Sequence, residues 1–276
     1  MLNRSTKKMA HDTLKEAEFY AAKTLPQMFK ETLKIAPLAL VVPLFSIARD
    51  REAFNYVNEV WSRKGRGALR YTGPRLTQSH QTVLFTLANL RAGEVVSNAF
   101  DFRPCELLKA MGWSTNTRNI TRLRCLLDDL KVGNLRIWRD DENEEMNALR
   151  VSFISTFKPS DTCPWHVRLS EELMPLFGAG LTHINLPRRS GLKEGLATFL
   201  YGFLSAESCS LPFWFEDIRE ASGSGAANVG DFGKDVKGVL DAFKAAKLIK
   251  DFRVWGTDGD VEKKLRLKKG QFRVLK

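Results

Sequence analysis

The stretch of sequence that decides the fold reads STNTRNITRLRCLLDDLKVG, residues 114–133. Apolar side chains recur in it at the three- and four-residue steps of a helix, at Ile120, Leu123, Leu126, Leu127 and Leu130. The opposite face carries Thr117, Arg118, Thr121, Arg122 and Cys125. Ser114 or Asn116 can cap the start of this helix, and Gly133 can end it. We therefore expect a helix held by its apolar side, with guanidinium and hydroxyl groups facing outward.

The elements around this helix form a block from Tyr71 to Phe157. The elements predicted before it are a helix over Arg75–Leu90, an extended patch at Ala99–Phe102, a helix over Pro104–Met111 and a break at Gly112–Ser114. The elements predicted after it are strands at Leu135–Arg139 and Ala148–Phe157, joined by an acidic loop at 140–145. This order is that of a winged helix-turn-helix, which places its third helix in the DNA major groove.

The same order recurs after Pro187. The predicted elements are a helix over Ser190–Leu204, an extended patch at Ser210–Phe213, a helix over Trp214–Ala221, a break at Gly223–Gly225, a helix from Asn228 or Asp231 to Lys247, and a hairpin of Leu248–Trp255 with Val261–Leu267. In the third helix Lys234, Lys237 and Lys244 share one face with Asp241, and this pattern predicts the three lysines as DNA contacts. The pattern therefore predicts an α+β protein, mainly α, with two tandem winged helix-turn-helix domains.

Three segments follow from this division of the chain. They are a leader or arm with one helix over residues 1–50, a first winged-helix domain over 51–180 and a second over 187–276. The glycines and the proline between Gly178 and Pro187 predict the joint. We also expect a strand-like or buried segment at Leu38–Ile47 and a helix over Glu52–Trp61.

The charge of the chain favours a polyanionic partner. The net charge is +11, from 43 Lys and Arg residues against 32 Asp and Glu residues, and each basic residue placed on a phosphate releases condensed counterions. The positive charge is densest in residues 261–276, which contain seven basic residues, among them Lys263, Lys264 and Arg266, and one acidic residue. This density predicts a phosphate-contacting wing or tail; a solvated face that only aids solubility is the alternative.

The sequence predicts no catalytic, metal or cofactor site. The four cysteines form no CxxC pair, and the four histidines form no closely spaced pair. The stretch Gly223–Gly225 lacks the Gly-Lys-Ser/Thr of a phosphate-binding loop. The longest apolar run, residues 36–47, contains two prolines and is too short to span a bilayer. We therefore expect a non-enzymatic protein of a reducing cytoplasm, without metal, cofactor or membrane partner.

The residues Tyr71–Ser79, which read YTGPRLTQS, closely resemble the YTG-x-RL-x-QS motif that opens the first winged domain of TrfA-type plasmid replication initiators. The run Glu106–Lys109, together with Thr115–Asn119 and the leucine-rich helix after it, resembles the helix-turn-helix of that family. The resemblance covers roughly residues 70–160, whereas the second unit matches in element order alone.

This resemblance implies tandem winged-helix domains that bind repeated origin sequences, called iterons, in double-stranded DNA. It implies that the protein recruits host replication factors, such as the host initiator and helicase, and helps to melt an adjacent AT-rich segment. It further implies exchange between monomer and dimer, in a bacterial cytoplasm. The matched helix positions imply Arg118, Asn119 and Arg122 as DNA contacts, and Thr121 joins them on the exposed face.

Other functions are compatible with the same pattern. A winged-helix transcriptional repressor needs only the same groove contacts. Direct repeats of about 20 base pairs, two helical turns, near the gene would favour an initiator, and a single palindrome would favour a repressor. An origin nickase or primase, and a scaffold that binds proteins, are the alternatives from other classes.

Overall fold

The computed structural model describes residues 32–48, 55–63, 67–91, 98–138, 149–176, 182–207, 212–255 and 271–275. The helices are α1 (Leu38–Val41), α2 (Gln78–Arg91), α3 (Pro104–Ala110), α4 (Thr117–Val132), α5 (Leu186–Ser190), α6 (Leu196–Ala206), α7 (Phe215–Ala221) and α8 (Val229–Ala245). The strands are β1 (Thr32–Ile35), β2 (Asn55–Arg63), β3 (Gly67–Pro74), β4 (Ala99–Phe102), β5 (Asn134–Trp138), β6 (Leu149–Ser152), β7 (Ile154–Lys158), β8 (Trp165–Leu169), β9 (Thr182–Asn185), β10 (Phe213–Trp214), β11 (Asp251–Trp255) and β12 (Gln271–Leu275). This mixture confirms the predicted α+β class.

The first predicted unit has its elements in the expected order, α2, β4, α3, α4 and the hairpin β5–β6. Its strand pairing is more extensive than the sequence indicates. The hairpin joins β2 and β3 in a sheet of order β2-β3-β5-β6, and β4 pairs instead in a sheet of order β4-β8-β7. The β2–β3 hairpin therefore extends the surface that the β5–β6 hairpin offers.

The second predicted unit also has its elements in the expected order, α6, β10, α7, α8, β11 and β12. Here the three strands form one antiparallel sheet of order β10-β12-β11. The strand predicted at Val261–Leu267 lies outside the described residues, and the partner of β11 is β12. The helix predicted over Ser190–Leu204 begins later, as α6 at Leu196, because residues 191–195 form a turn after α5. Gly195, just before α6, has a φ of 108° that suits glycine.

The helix predicted over Glu52–Trp61 is wrong, because residues 55–63 form β2. Val57, Val60 and Trp61 favour extended backbone, and pairing with β3 satisfies the backbone groups of the strand. The apolar spacing that suggested a helix is compatible with a strand that has a register shift between Tyr56 and Glu59.

The predicted joint, Gly178–Pro187, contains a strand. In it β9 pairs antiparallel with β1, with Leu33 opposite Ile184. The segment Leu38–Ile47 is largely buried as predicted and begins with the short helix α1 rather than a strand. The leader helix predicted before β1 lies outside the described residues, and the domain limits stay predictions.

The start of the Tyr71–Ser79 motif packs against the end of α4. Tyr71 is fully buried, and its hydroxyl donates a hydrogen bond to the Pro74 carbonyl at 2.8 Å. A Cβ on Gly133 would lie 2.7 Å from the Tyr71 hydroxyl oxygen, and one on Gly73 would lie 2.9 Å from it. Burial raises the pKa of Tyr71 well above its ordinary value. The glycines therefore allow the ring to fill the space between β3 and α4.

Arg189 fixes the connection between the two units from inside the core. Its side chain, in α5, is 3% exposed. One guanidinium nitrogen donates to Thr82 Oγ1 at 2.6 Å, and the other donates to Gln78 Oε1 at 3.2 Å and Gln81 Oε1 at 2.7 Å. The guanidinium carbon lies 5.3 Å from the centre of the Phe85 ring. One cation thus contacts successive turns of α2.

The same glutamines extend the network to α1 and the segment after it. Gln78 Nε2 donates to the Phe45 carbonyl at 2.6 Å, and Gln81 Nε2 donates to the Ala39 carbonyl at 3.4 Å. Burial lowers the pKa of Arg189 to about 10, so the side chain stays cationic at neutral pH. A buried cation held by neutral acceptors is costly to desolvate, and its geometry is correspondingly specific.

We expect Gly133→Ala to destabilise the protein by about 1–3 kcal/mol, because the added methyl group overlaps the buried Tyr71 hydroxyl. Gly133 has a φ of −62°, so backbone strain does not contribute. The matched control is Gly238→Ala in α8, where an added Cβ meets nothing within 4 Å. This substitution should stabilise the helix by about 0.5–1 kcal/mol. Urea unfolding measures both; equal effects would contradict the packing described.

We expect Arg189→Ala to destabilise the protein by about 3–5 kcal/mol, because three buried side-chain acceptors on α2 lose their donor. The control is the neighbouring Arg188→Ala, which removes the same charge from an exposed position and should change stability by less than about 0.5 kcal/mol. Thermal unfolding followed by circular dichroism measures the difference. Similar losses of stability in the two variants would show that the hydrogen bonds of Arg189 do not hold α5 against α2.

Candidate nucleic-acid interface

The start of α4 is fixed by a network of side-chain bonds. Asn116 caps the helix by accepting a hydrogen bond from the Asn119 backbone N–H at 2.8 Å. The Asn119 amide donates to the Ser114 carbonyl at 2.7 Å and to its hydroxyl at 2.9 Å. Asn119, a predicted DNA contact, therefore also holds the turn before α4, and its half-buried side chain has less freedom than its neighbours.

The two faces of α4 are confirmed by burial. Leu123, Leu126, Leu127 and Leu130 are buried, and the predicted Ile120 is half-buried. Arg118 and Thr121 are exposed on the other side, with the Thr121 hydroxyl donating to the Thr117 carbonyl at 3.0 Å. Arg124 and Cys125 are exposed beside them. The exposed face therefore presents the guanidinium groups that match phosphates and guanine edges.

Arg122 is exposed on this face but contacts the second unit. Its Nη2 lies 3.1 Å from both carboxylate oxygens of Glu194 and donates to the Ser79 hydroxyl at 2.5 Å. The Ser79 hydroxyl also donates to Glu194. The guanidinium carbon stacks 4.2 Å from the centre of the Trp113 ring. Sequence reasoning missed this cluster, because Glu194 follows α4 by many residues and no local pattern marks it.

A second bond fixes the other half of α4. His80 is buried in α2, and its Nδ1 accepts from the Thr77 backbone N–H at 2.9 Å. Because that bond needs a lone pair on Nδ1, the proton of a neutral ring lies on Nε2, which donates to Asp129 Oδ2 at 3.1 Å. This contact joins α4 to α2, the helix that also contacts Arg189.

The helix α8 of the second unit has a similar construction. Asn228 caps it by accepting from the Gly230 N–H at 2.7 Å, and Phe232, Val236, Leu240 and Phe243 form its buried side. Gly233 lets α7 approach, because a Cβ there would lie 2.9 Å from the Phe215 ring. The predicted apolar stripe is thus confirmed, apart from Val239, which is half-buried.

The three predicted lysines of α8 are all exposed. Lys234 donates to Asp231 at 2.8 Å and Lys244 to Asp251 at 2.7 Å, and these bonds raise the pKa of both lysines. Among the described residues, Lys237 belongs to no ion pair. Lys263, Lys264 and Arg266 lie outside the described residues.

The exposed sides of α4 and α8 border adjoining grooves. A groove of about 720 Å³ lies between α8 and the loop before α6, lined by Glu194, Gly195 and Lys234. A second, of about 430 Å³, is lined by Arg122 and shares Glu194 and Gly195 with the first. The two basic helices therefore approach the same loop from different units.

Within the described ranges, no group of three or more His, Cys, Asp or Glu residues is arranged to hold a metal ion. No helix in the described part of the chain is long and apolar enough to cross a membrane.

The chain shares its fold with proteins of known structure. No family model and no curated protein matches the chain. A crystal structure of selenomethionine derivatives of domains 2 and 3 of RctB matches with a TM-score of 0.55 and 13% identity, over 75% of this chain and 86% of that chain. A second crystal structure of RctB domains 2–3 matches with a TM-score of 0.55 and 12% identity, over 75% and 83%. At this identity the likeness concerns the fold alone.

We expect the Arg122–Glu194 pair to contribute about 0.5–1 kcal/mol to stability, since both side chains are partly exposed, at 43% and 31%. A double-mutant cycle of Arg122→Ala and Glu194→Ala, measured by urea unfolding, isolates this coupling. The control is the cycle of Lys234 and Asp231, which are 79% and 67% exposed and should couple more weakly than Arg122 and Glu194. A zero coupling for Arg122 and Glu194 would contradict an inter-unit contact.

Proposed function

We propose that this chain is a DNA replication initiator that binds double-stranded DNA through two tandem winged helix-turn-helix units, without catalysis. The observation that carries the proposal is the repeated unit in which α4 and α8 each bury an apolar side and expose cationic side chains. The fold likeness to domains of RctB, which is a replication initiator, supports the same class of function.

In this proposal α4 contacts bases and α8 contacts phosphates. Arg118, exposed on α4, is the side chain best placed to donate two parallel hydrogen bonds to a guanine. Lys237 and the paired lysines of α8 contact phosphates, which set the position of the protein on the duplex. Two units on one chain contact successive major grooves roughly one helical turn apart, with specific affinity on the order of 10⁻⁸ M or better.

The contact between Arg122 and Glu194 adds a constraint to the proposal. An arginine held by a carboxylate of the other unit can contact DNA only by sharing or leaving that partner. We therefore assign Arg118 the larger part in base recognition and Arg122 the part of positioning α4. Asn119, bonded to Ser114, acts in the same way.

The finer assignment is a plasmid initiator that binds iterons, recruits the host initiator and helicase, and exchanges between monomer and dimer in a bacterial cytoplasm. It is supported by the resemblance of Tyr71–Ser79 to the TrfA-type motif. The packing of Tyr71 and the bonds of Gln78 and Ser79 give that motif an architectural role, since they join α2 to α4 and α5.

The experiment that tests the proposal is DNase footprinting on DNA flanking the gene at two salt concentrations. An initiator should protect direct repeats of about 20 base pairs, two helical turns each. Protection of a single palindrome would instead indicate a repressor. Nicking of supercoiled DNA with Mg²⁺ would contradict the non-catalytic assignment, and failure to bind any DNA at low salt would contradict the whole proposal.

We expect Arg118→Ala to cost about 1–3 kcal/mol of binding to the protected sequence and to relax specificity at one base pair, because a bidentate contact to guanine is lost. The control is Lys109→Ala, which removes a positive charge from an exposed position at the end of α3. Competition binding with single-base variants of the site measures both. An equal loss on cognate and random DNA would show that Arg118 contacts a phosphate instead.

A further inference from the structure

Three arginines lie side by side across three neighbouring strands of the four-stranded sheet. The register places Arg70 of β3 opposite Arg136 of β5, and Arg136 opposite Arg150 of β6. Val60 of β2 occupies the next position, opposite Arg70. We call Arg70, Arg136 and Arg150 the arginine row. No acidic residue occupies a position in this row.

The arginine row points away from α4. The neighbours of these arginines along the strands, Leu69, Leu135 and Val151, are buried, and α4 contacts β3 and β6. Successive side chains of a strand point to opposite faces, so the row lies on the outer face of the sheet. Arg136 and Arg150 are exposed there, and Arg70 is half-buried. This surface is therefore separate from the exposed side of α4.

The directly opposed pair Arg136 and Arg150 is unfavourable in the free protein. Like charges directly opposite each other on paired strands repel, and surfaces that serve only solubility intersperse both signs. Arg136 and Arg150 are both exposed, and the register places them directly opposite each other. The repulsion is relieved when an anion with several charges lies across the strands. The row is thus better explained by a ligand than by solubility.

We propose that the arginine row binds the phosphate backbone of a nucleic acid, at a site separate from the recognition helices. Strands lie about 4.8 Å apart, so the row is about 10 Å long. A row of this length can meet two neighbouring phosphates of one strand. Guanidinium groups donate hydrogen bonds in pairs to phosphate oxygens, and contacts to phosphates carry no sequence information. The site therefore holds nucleic acid without regard to sequence.

Either a single strand or a second duplex can supply these phosphates, and the salt dependence of binding distinguishes them. The experiment compares the full-length wild type with the double variant R136A/R150A on a random single-stranded oligonucleotide and on a random duplex, at several salt concentrations. Loss of two phosphate contacts should reduce the slope of log affinity against log salt by about 1.4 for a single strand or about 1.8 for a duplex. The nucleic acid on which the slope falls identifies the source.

Two further variants make the result specific. The control K158A/R168A removes the same charge from exposed positions on β7 and β8, in the sheet of order β4-β8-β7, and should leave the slope nearly unchanged. The variant R136K/R150K retains the charge and should retain the slope. The melting temperature of R136A/R150A should be no lower than that of the wild type, since repulsion is removed.

Four results would overturn the proposal. The first is an unchanged slope for R136A/R150A on both nucleic acids. The second is an equal loss in K158A/R168A, which would show a general charge effect. The third is a loss in R136K/R150K, and the fourth is a lower melting temperature of R136A/R150A, since either would show a structural role for the arginines. These tests use random sequences, so their failure is distinguishable from failure of the specific binding assigned to Arg118.

Discussion

The burial of Arg189 against α2 is the constraint on which the arrangement of the two units depends. Hydrogen bonds to Gln78, Gln81 and Thr82 compensate a cation that has been removed from water, and they do so only when α5 lies in one position along α2. Hydrophobic contact alone tolerates sliding, whereas a planar guanidinium with fixed donors does not. The polar network therefore specifies a geometry that the surrounding apolar core stabilises.

The helix α2 connects the Arg189 network to the basic helix α4 and to the segment before α6. Gln78 contacts Arg189 of α5. The next two residues both contact α4: Ser79 contacts Arg122 near its start, and His80 contacts Asp129 near its end. Glu194, just before α6, completes the connection from α4 to the second unit. A short run of residues at the start of α2 thus joins α4 to the segments that lead into α6. In the proposed function, this run aligns two recognition helices on one duplex.

The sequence predicts the parts of this structure that have strong local patterns. Helices α2, α4 and α8 can be predicted because their apolar residues recur at helical steps over several turns. Asn116 and Asn228 cap α4 and α8, as their positions in the sequence predict. It misses β2, whose state depends on pairing with β3, and β9, whose partner β1 is distant in sequence. It also misses the contacts of Arg189 and Arg122 and the arginine row, because tertiary folding alone brings these residues to their partners.

The most direct test of the central claim is methylation interference on a duplex that the protein binds specifically. Methylation of guanine N7 blocks contacts in the major groove. If α4 and α8 bind one duplex together, interfering guanines should form two clusters whose centres are about 10 base pairs apart, one helical turn. A single cluster, or two clusters on opposite faces of the helix, would contradict the account.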